Sequence, residues 1–72
     1  MKKDKLGGEG QNIESDRIVR SKEVGWLTGL GRTTRWRRER EGSFPARVRL
    51  TSGAVGWRLS EVNAWVESLE RA

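Results

Sequence analysis

The cleanest periodic stripe in the chain lies near its end, where Val62, Trp65, Val66 and Leu69 recur at i, i+3, i+4 and i+7. That spacing predicts a last helix with one core-facing side, and Ser60 stands where its N-cap belongs. Ahead of it the period changes to two. From Ala46, Arg47 and Arg49 alternate with Val48 and Leu50, Thr51-Ser52-Gly53-Ala54 reads as a turn, and Val55-Gly56-Trp57-Arg58 returns. Alternation of this kind predicts a β-hairpin with Val48, Leu50, Val55 and Trp57 inward and the two arginines outward. Gly42-Ser43-Phe44-Pro45 separates the hairpin from what precedes it. Pro45 lacks an amide hydrogen and pushes Phe44 out of helical geometry, which leaves Phe44 as a core anchor.

The earlier half is patterned more weakly. Arg17-Ile18-Val19-Arg20 sets two β-branched residues between arginines and suits a short strand or extended entry, with Ile18 or Val19 inward. Val24 and Leu27 share a face of a helix running from about Lys22 to Leu27, with Ser21 as its N-cap and Glu23 near its positive end. Gly25 weakens that helix by roughly 1 kcal/mol relative to alanine and allows the close approach of another backbone. Trp26 falls off the apolar face and is expected to be partly buried. Thr28 to Gly31 forms a turn, with Gly29 as a left-handed C-terminal residue, Leu30 as a plug between helices, and Gly31 as the N-cap of a second helix from about Arg32 to Glu41. This second helix has no apolar stripe. Its one large apolar side chain is Trp36, so it must pack through that ring, threonine methyls and arginine stems, or else offer Trp36 outward as a contact. Residues 1–16 hold Gly7, Gly8 and Gly10 with no sustained period and are expected to be a disordered tail ahead of one folded unit, 17–72. No internal repeat is present. The expected fold is mainly α with a small β-hairpin: a winged helix-turn-helix of three helices plus a wing.

Composition removes most catalytic readings. With 72 residues, no cysteine and no histidine, the chain builds one small domain with no disulfide, no thiolate or imidazole metal site and no histidine-activated nucleophile. Its carboxylates are scattered, and Glu39 and Glu41 sit among arginines, where ion pairing is the expected role. No enzyme activity, cofactor or metal is expected. No apolar run approaches the ~20 residues of a membrane span, and Met1-Lys2-Lys3-Asp4 leads into no secretory segment. A cytoplasmic protein is expected, associated with the nucleoid when bound to DNA.

Charge points to the partner. The net charge is +5, and the tail contributes none of it: residues 1–16 hold three lysines against four acids, whereas 17–72 hold twelve basic residues against six acids. Between Arg32 and Arg49 seven arginines meet two glutamates. A charge run on a helix can be a merely solvated face, but such faces mix their signs. A second helix entered through a tight turn can lie in the major groove, where arginine forks match guanine or phosphate and Thr33 and Thr34 suit phosphate oxygens or a thymine methyl. Arg47 and Arg49 on the hairpin extend the same positive surface or, on a plainer reading, protect an edge strand.

The ordered set of motifs resembles the AlpA-like phage and prophage regulators, small winged helix-turn-helix proteins related to MerR-type and excisionase domains. The residues that carry it are R-I-V-R at Arg17 to Arg20, E-V at Glu23 and Val24, L-T-G-L at Leu27 to Leu30, R-T-T at Arg32 to Thr34 and W-R at Trp36 and Arg37. It continues through E-G-S-F-P at Glu41 to Pro45, R-V-R-L at Arg47 to Leu50, V-G-W-R at Val55 to Arg58 and E-V-N-A-W at Glu61 to Trp65. The resemblance implies sequence-specific DNA binding and control of phage or mobile-element genes or of excision. Its recognition positions fall on Arg32, Thr33, Thr34, Trp36 and Arg37, with wing contacts near Arg47, Arg49 and Ser52. Gly31 stands where a serine cap is usual, and Arg35 and Arg38 stand where apolar residues are common. Either helix 2 is rotated to free more arginines, or the domain is marginally stable alone.

The expected function is therefore a transcriptional regulator binding double-stranded DNA, with the helix at about 32–41 in the major groove. Arg32 and Arg37 are assigned to bases, and Arg35, Arg40, Arg47 and Arg49 to phosphates. A homodimer or a partner protein, recombinase or polymerase, would supply the remaining affinity. Three other readings stand beside it. One is an excisionase-type factor that bends DNA in arrays. Another is an RNA-binding basic protein, although the aromatic sheet and glycine-loop clamp of common RNA modules are missing. The third is a module whose basic face meets an acidic protein.

Overall fold

The computed structural model describes residues 16–72; the remainder of the tail expected to be disordered lies outside the described residues. Six elements follow in order: β1 (Ile18–Val19), α1 (Ser21–Thr28), α2 (Arg32–Glu41), β2 (Val48–Thr51), β3 (Ala54–Arg58) and α3 (Leu59–Glu67). Three helices accompany an antiparallel sheet of order β1-β3-β2, the winged helix-turn-helix arrangement with a third strand added to the wing. β1 reaches that place because Ile18 pairs with Arg58 and Val19 with Trp57, and the Leu59 amide donates to the Arg17 carbonyl at 2.8 Å.

The core is small. Val19, Val24, Phe44, Trp57 and Val62 are buried, with Leu27, Leu30, Val55, Leu59 and Trp65 packed around them. Phe44 fulfils its anchoring role against Trp65, edge to face with ring centroids 4.9 Å apart, and the Trp65 indole N–H donates to the Ser43 carbonyl at 2.9 Å. The α3 stripe enters the core only through its first half. The helix ends at Glu67, so Leu69 lies beyond it in solvent, and Val66 is exposed as well.

Strand register overturns the inward set expected for the hairpin. Arg49 stands opposite Val55 and Val48 opposite Gly56, with a bulge between Arg49 and Thr51. Directly opposed residues share a face. Arg47 and Arg49 therefore lie on the side of Val55 and Trp57, toward α2, while Val48 and Leu50 turn to the outer side with Ile18 and Gly56. A methyl at Gly56 would fall 2.5 Å from Ile18 Cγ2 and 3.4 Å from Leu50 Cδ1.

Three smaller expectations also change. Ser21 and Ser60 are not caps: the strands run straight into the helices through extended Arg20 and Arg58. Ser60 Oγ instead donates to Asp16 Oδ1 at 2.6 Å. Trp26 is 83% exposed rather than partly buried, because two residues of helix place it about 200° from Val24.

Candidate nucleic-acid interface

The turn between α1 and α2 is closed internally. Gly29 takes the left-handed conformation at φ 76 that a side chain would resist, and its amide donates to the Gly25 carbonyl at 2.8 Å. Thr28 Oγ1 donates to the Val24 carbonyl at 2.8 Å and accepts from the Leu30 amide at 3.2 Å. Gly31 then starts α2 with no side-chain cap and no acidic residue in the first turn. The positive end of the helix is left open to an anion.

α2 is docked by charged side chains. Arg35, four residues before Glu39 and on the same face, is 3% exposed. Its guanidinium donates to the Leu30 carbonyl at 2.7 Å and to Ser21 Oγ at 2.6 Å, and its carbon lies 5.9 Å from the centroid of the Trp57 ring. Gly25 provides the room: a Cβ there would sit 2.8 Å from the terminal nitrogen of Arg35. The close approach anticipated at Gly25 comes from this side chain. Burial, then the charges of Arg32 and Arg47, push the Arg35 guanidinium below its usual pKa, with Glu39 opposing; it stays charged at neutral pH, as guanidinium does in proteins. The assignment of Arg35 to a phosphate is thus corrected, since the group is turned into the domain.

Glu39 holds the other end. One oxygen accepts from Arg47 Nε at 3.0 Å; the second accepts from another Arg47 nitrogen at 3.3 Å and from the Trp57 indole N–H at 3.0 Å. The Arg47 guanidinium lies 5.4 Å from the Trp57 ring centroid. Trp57 is thereby flanked by two cations, one from α2 and one from the segment leading into β2.

With Arg35 and Glu39 turned inward, Arg32, Thr33, Trp36, Arg37 and Arg40 are all exposed. Trp36 is 50% exposed and outside the core, with Arg40 stacked 4.8 Å from its centroid. An open groove separates this face from the sheet, walled by Lys22, Arg32, Thr33 and Trp36 and reaching Arg47 and Val55.

Residues 17–71 match the family described as Prophage CP4-57 regulatory protein (AlpA). The chain belongs to this AlpA family. It is also 42% identical over 55 residues to "Uncharacterized protein ORF88" of Enterobacteria phage P4, across 76% of this chain and 62% of that protein. The chain thus spans less than two thirds of that relative's length.

In this AlpA-family chain the resemblance positions Arg32, Thr33, Trp36 and Arg37 come together on one outward face, joined by Arg40, while Thr34 is half-buried. Arg49 and Ser52 are exposed on the wing. Arg38 points to solvent, so α2 keeps the seating in which position 35 faces inward, with arginine in place of an apolar residue. The ion pairing expected of Glu39 is present, with Arg47 as its partner, but sequence reasoning missed its bond to Trp57 and the acceptor role of Ser21. A readable signal existed: two charged residues at i, i+4 on a helix without an apolar stripe, facing a glycine inside the preceding helix. Among the described residues no helix is long and apolar enough to cross a membrane, and no group of three potential metal ligands occurs.

Proposed function

We propose that this AlpA-family protein is a sequence-specific DNA-binding regulator of phage or mobile-element genes. The observation that carries the reading is the division of α2: its two inward residues are charged and tied within the domain, and its outer face is a basic surface free of acids from Arg32 to Arg38. Ten residues of helix extend about 15 Å, a length suited to a major groove about 12 Å wide. In that pose Arg32 and Arg37 read base edges, Thr33 and Thr34 and the open end of α2 meet phosphate, and Trp36 lies against sugar or a thymine methyl. Arg40 and the wing's Arg49, with Ser52 at the turn, hold backbone phosphates. The protein does no chemistry in this account and acts in the cytoplasm, where its DNA lies. A second copy or a partner protein adds the affinity that one domain of this size lacks.

The test is selection from a randomised pool of short duplexes, with single-stranded RNA of equal length as competitor, at roughly physiological salt where phosphate-only binding fades. Enrichment of one motif is the expected result, and a repeated motif would give the stoichiometry. Absence of a motif together with equal competition by RNA would overturn the reading.

A further inference from the structure

The junction between α2 and the wing contains more fixed charge than DNA binding alone requires. Arg47, which its sequence position marks as a phosphate ligand, spends its fork on Glu39: two nitrogens meet two carboxylate oxygens at 3.0 and 3.3 Å. The Glu39 side chain is 11% exposed, and the Trp57 indole N–H fills out its acceptor set. Moving Arg47 to a phosphate would break two charge-assisted bonds, lift the guanidinium off the Trp57 ring and leave a shielded carboxylate with one donor beside a polyanion. Arg49 faces no such choice. It is exposed, and among the described residues no carboxylate lies within ion-pair reach of it.

We propose that Glu39 is a positioning residue that fixes the wing against the recognition helix, so that DNA meets the wing at Arg49 while Arg47 remains on Glu39. This rests on the DNA-binding reading and refines it. The spacing between α2 and the wing selects which phosphates can be engaged at once when Arg32 and Arg37 are in register with bases. A tied wing permits one register. A loose wing, carrying a freed Arg47, permits several and adds one phosphate contact.

The experiment measures affinity for the selected motif and for random duplex as a function of salt, with thermal unfolding of each variant to verify folding. Each phosphate contact contributes about 0.9 to the slope of log K against log salt. Arg49→Ala should make the slope shallower by about that amount. Glu39→Gln keeps an acceptor for Trp57 and drops the charge that holds Arg47; the slope should steepen by up to about 0.9 while preference for the motif falls severalfold. Glu39→Gln combined with Arg47→Gln should keep the parent slope. Arg47→Lys keeps the charge and loses the fork, so preference should fall although the slope does not. The proposal is overturned if the double variant loses slope as Arg49→Ala does, if Glu39→Gln changes neither quantity, or if Arg47→Lys retains full preference. Should Glu39→Gln not fold, the Arg47→Lys result decides alone. A parent protein that enriches no duplex motif overturns the DNA reading itself, and this assignment with it.

Discussion

α2 and α3 are nearly the same length, ten and nine residues, and are held by opposite chemistry. α3 drives Val62 into the core and lays Trp65 against Phe44, the ordinary hydrophobic docking in which area removed from water does the holding. α2 contributes no apolar side chain to the core. It is held by Arg35, reaching under α1 to Ser21 and Leu30, and by Glu39, reaching to β3 and to Arg47 just before β2. Docking by apolar area takes a wide stripe of a helix. Docking by two long charged side chains takes two positions and leaves the remaining surface for a ligand. The arrangement is exacting, since a buried guanidinium is costly unless its hydrogen bonds are made.

The largest expected effect falls on the apolar side of this contrast. Phe44→Ala should remove about 3–5 kcal/mol in urea unfolding, a large part of the stability of so small a domain. A loss under about 1 kcal/mol would mean that α3 is not docked through this ring. On the polar side, Arg35→Ala should cost about 1–3 kcal/mol because the Leu30 carbonyl and Ser21 lose their donor. Arg35→Met fills the space but supplies no donor, so it should cost no more than Arg35→Ala and still leave the Leu30 carbonyl unpaired. The room at Gly25 sharpens the comparison through a double-mutant cycle. Gly25→Ala should destabilise the parent by overpacking, yet gain about 1 kcal/mol of helix propensity once Arg35 is alanine. Equal effects in both backgrounds would show that Gly25 and Arg35 do not share that space.

Arg37 lies on the surface that this docking sets free. Arg37→Ala should leave unfolding unchanged and relax choice among duplex sequences by about 1–3 kcal/mol. Uniform weakening on all sequences would reassign Arg37 to phosphate. The smallest effect concerns pH. The Ser60 hydroxyl and Arg58 hold the Asp16 carboxyl below its ordinary pKa, and the hydrogen bond from Arg17 holds Glu23 below its own. A carboxylate depressed by folding adds stability above its unfolded pKa, and that stability is lost as pH falls through the folded value. Thermal midpoints should therefore be insensitive to these groups at neutral pH and decline below about pH 4. Asp16→Asn and Glu23→Gln should each flatten that decline.

The elements legible in the sequence were those built by apolar periodicity or by backbone rules. The α3 stripe, the hairpin, the Gly29 turn and the stop at Pro45 all follow from spacing and from residues with restricted or unusual backbone freedom. Alternation fixes the two faces of the hairpin without saying which is inward; Arg47 lies on the inner one because Glu39 and the Trp57 ring accept a cation there, and Arg49 shares that side through its pairing with Val55. The inward turn of Arg35 is hidden from the sequence for a related reason. Charge predicts exposure on average, and the exception depends on a space at Gly25, ten residues earlier in the chain, that composition does not display. Trp36 is exposed, and not in the core, because those two charged residues already occupy the inward face.

The pairing of Ile18 with Arg58 joins residues 40 apart. β2 and β3, by contrast, are neighbours along the chain and can zip locally. The whole helix-turn-helix is thus an insertion between one edge of the sheet and its centre, and closing that loop is the entropic toll on folding. α1 and α2 precede β3 along the chain, so their Trp57 support is added only after both helices have been made. The segment proposed to read DNA is therefore finished only once β3 has been made, so chains ended before Trp57 should present the arginines without the geometry.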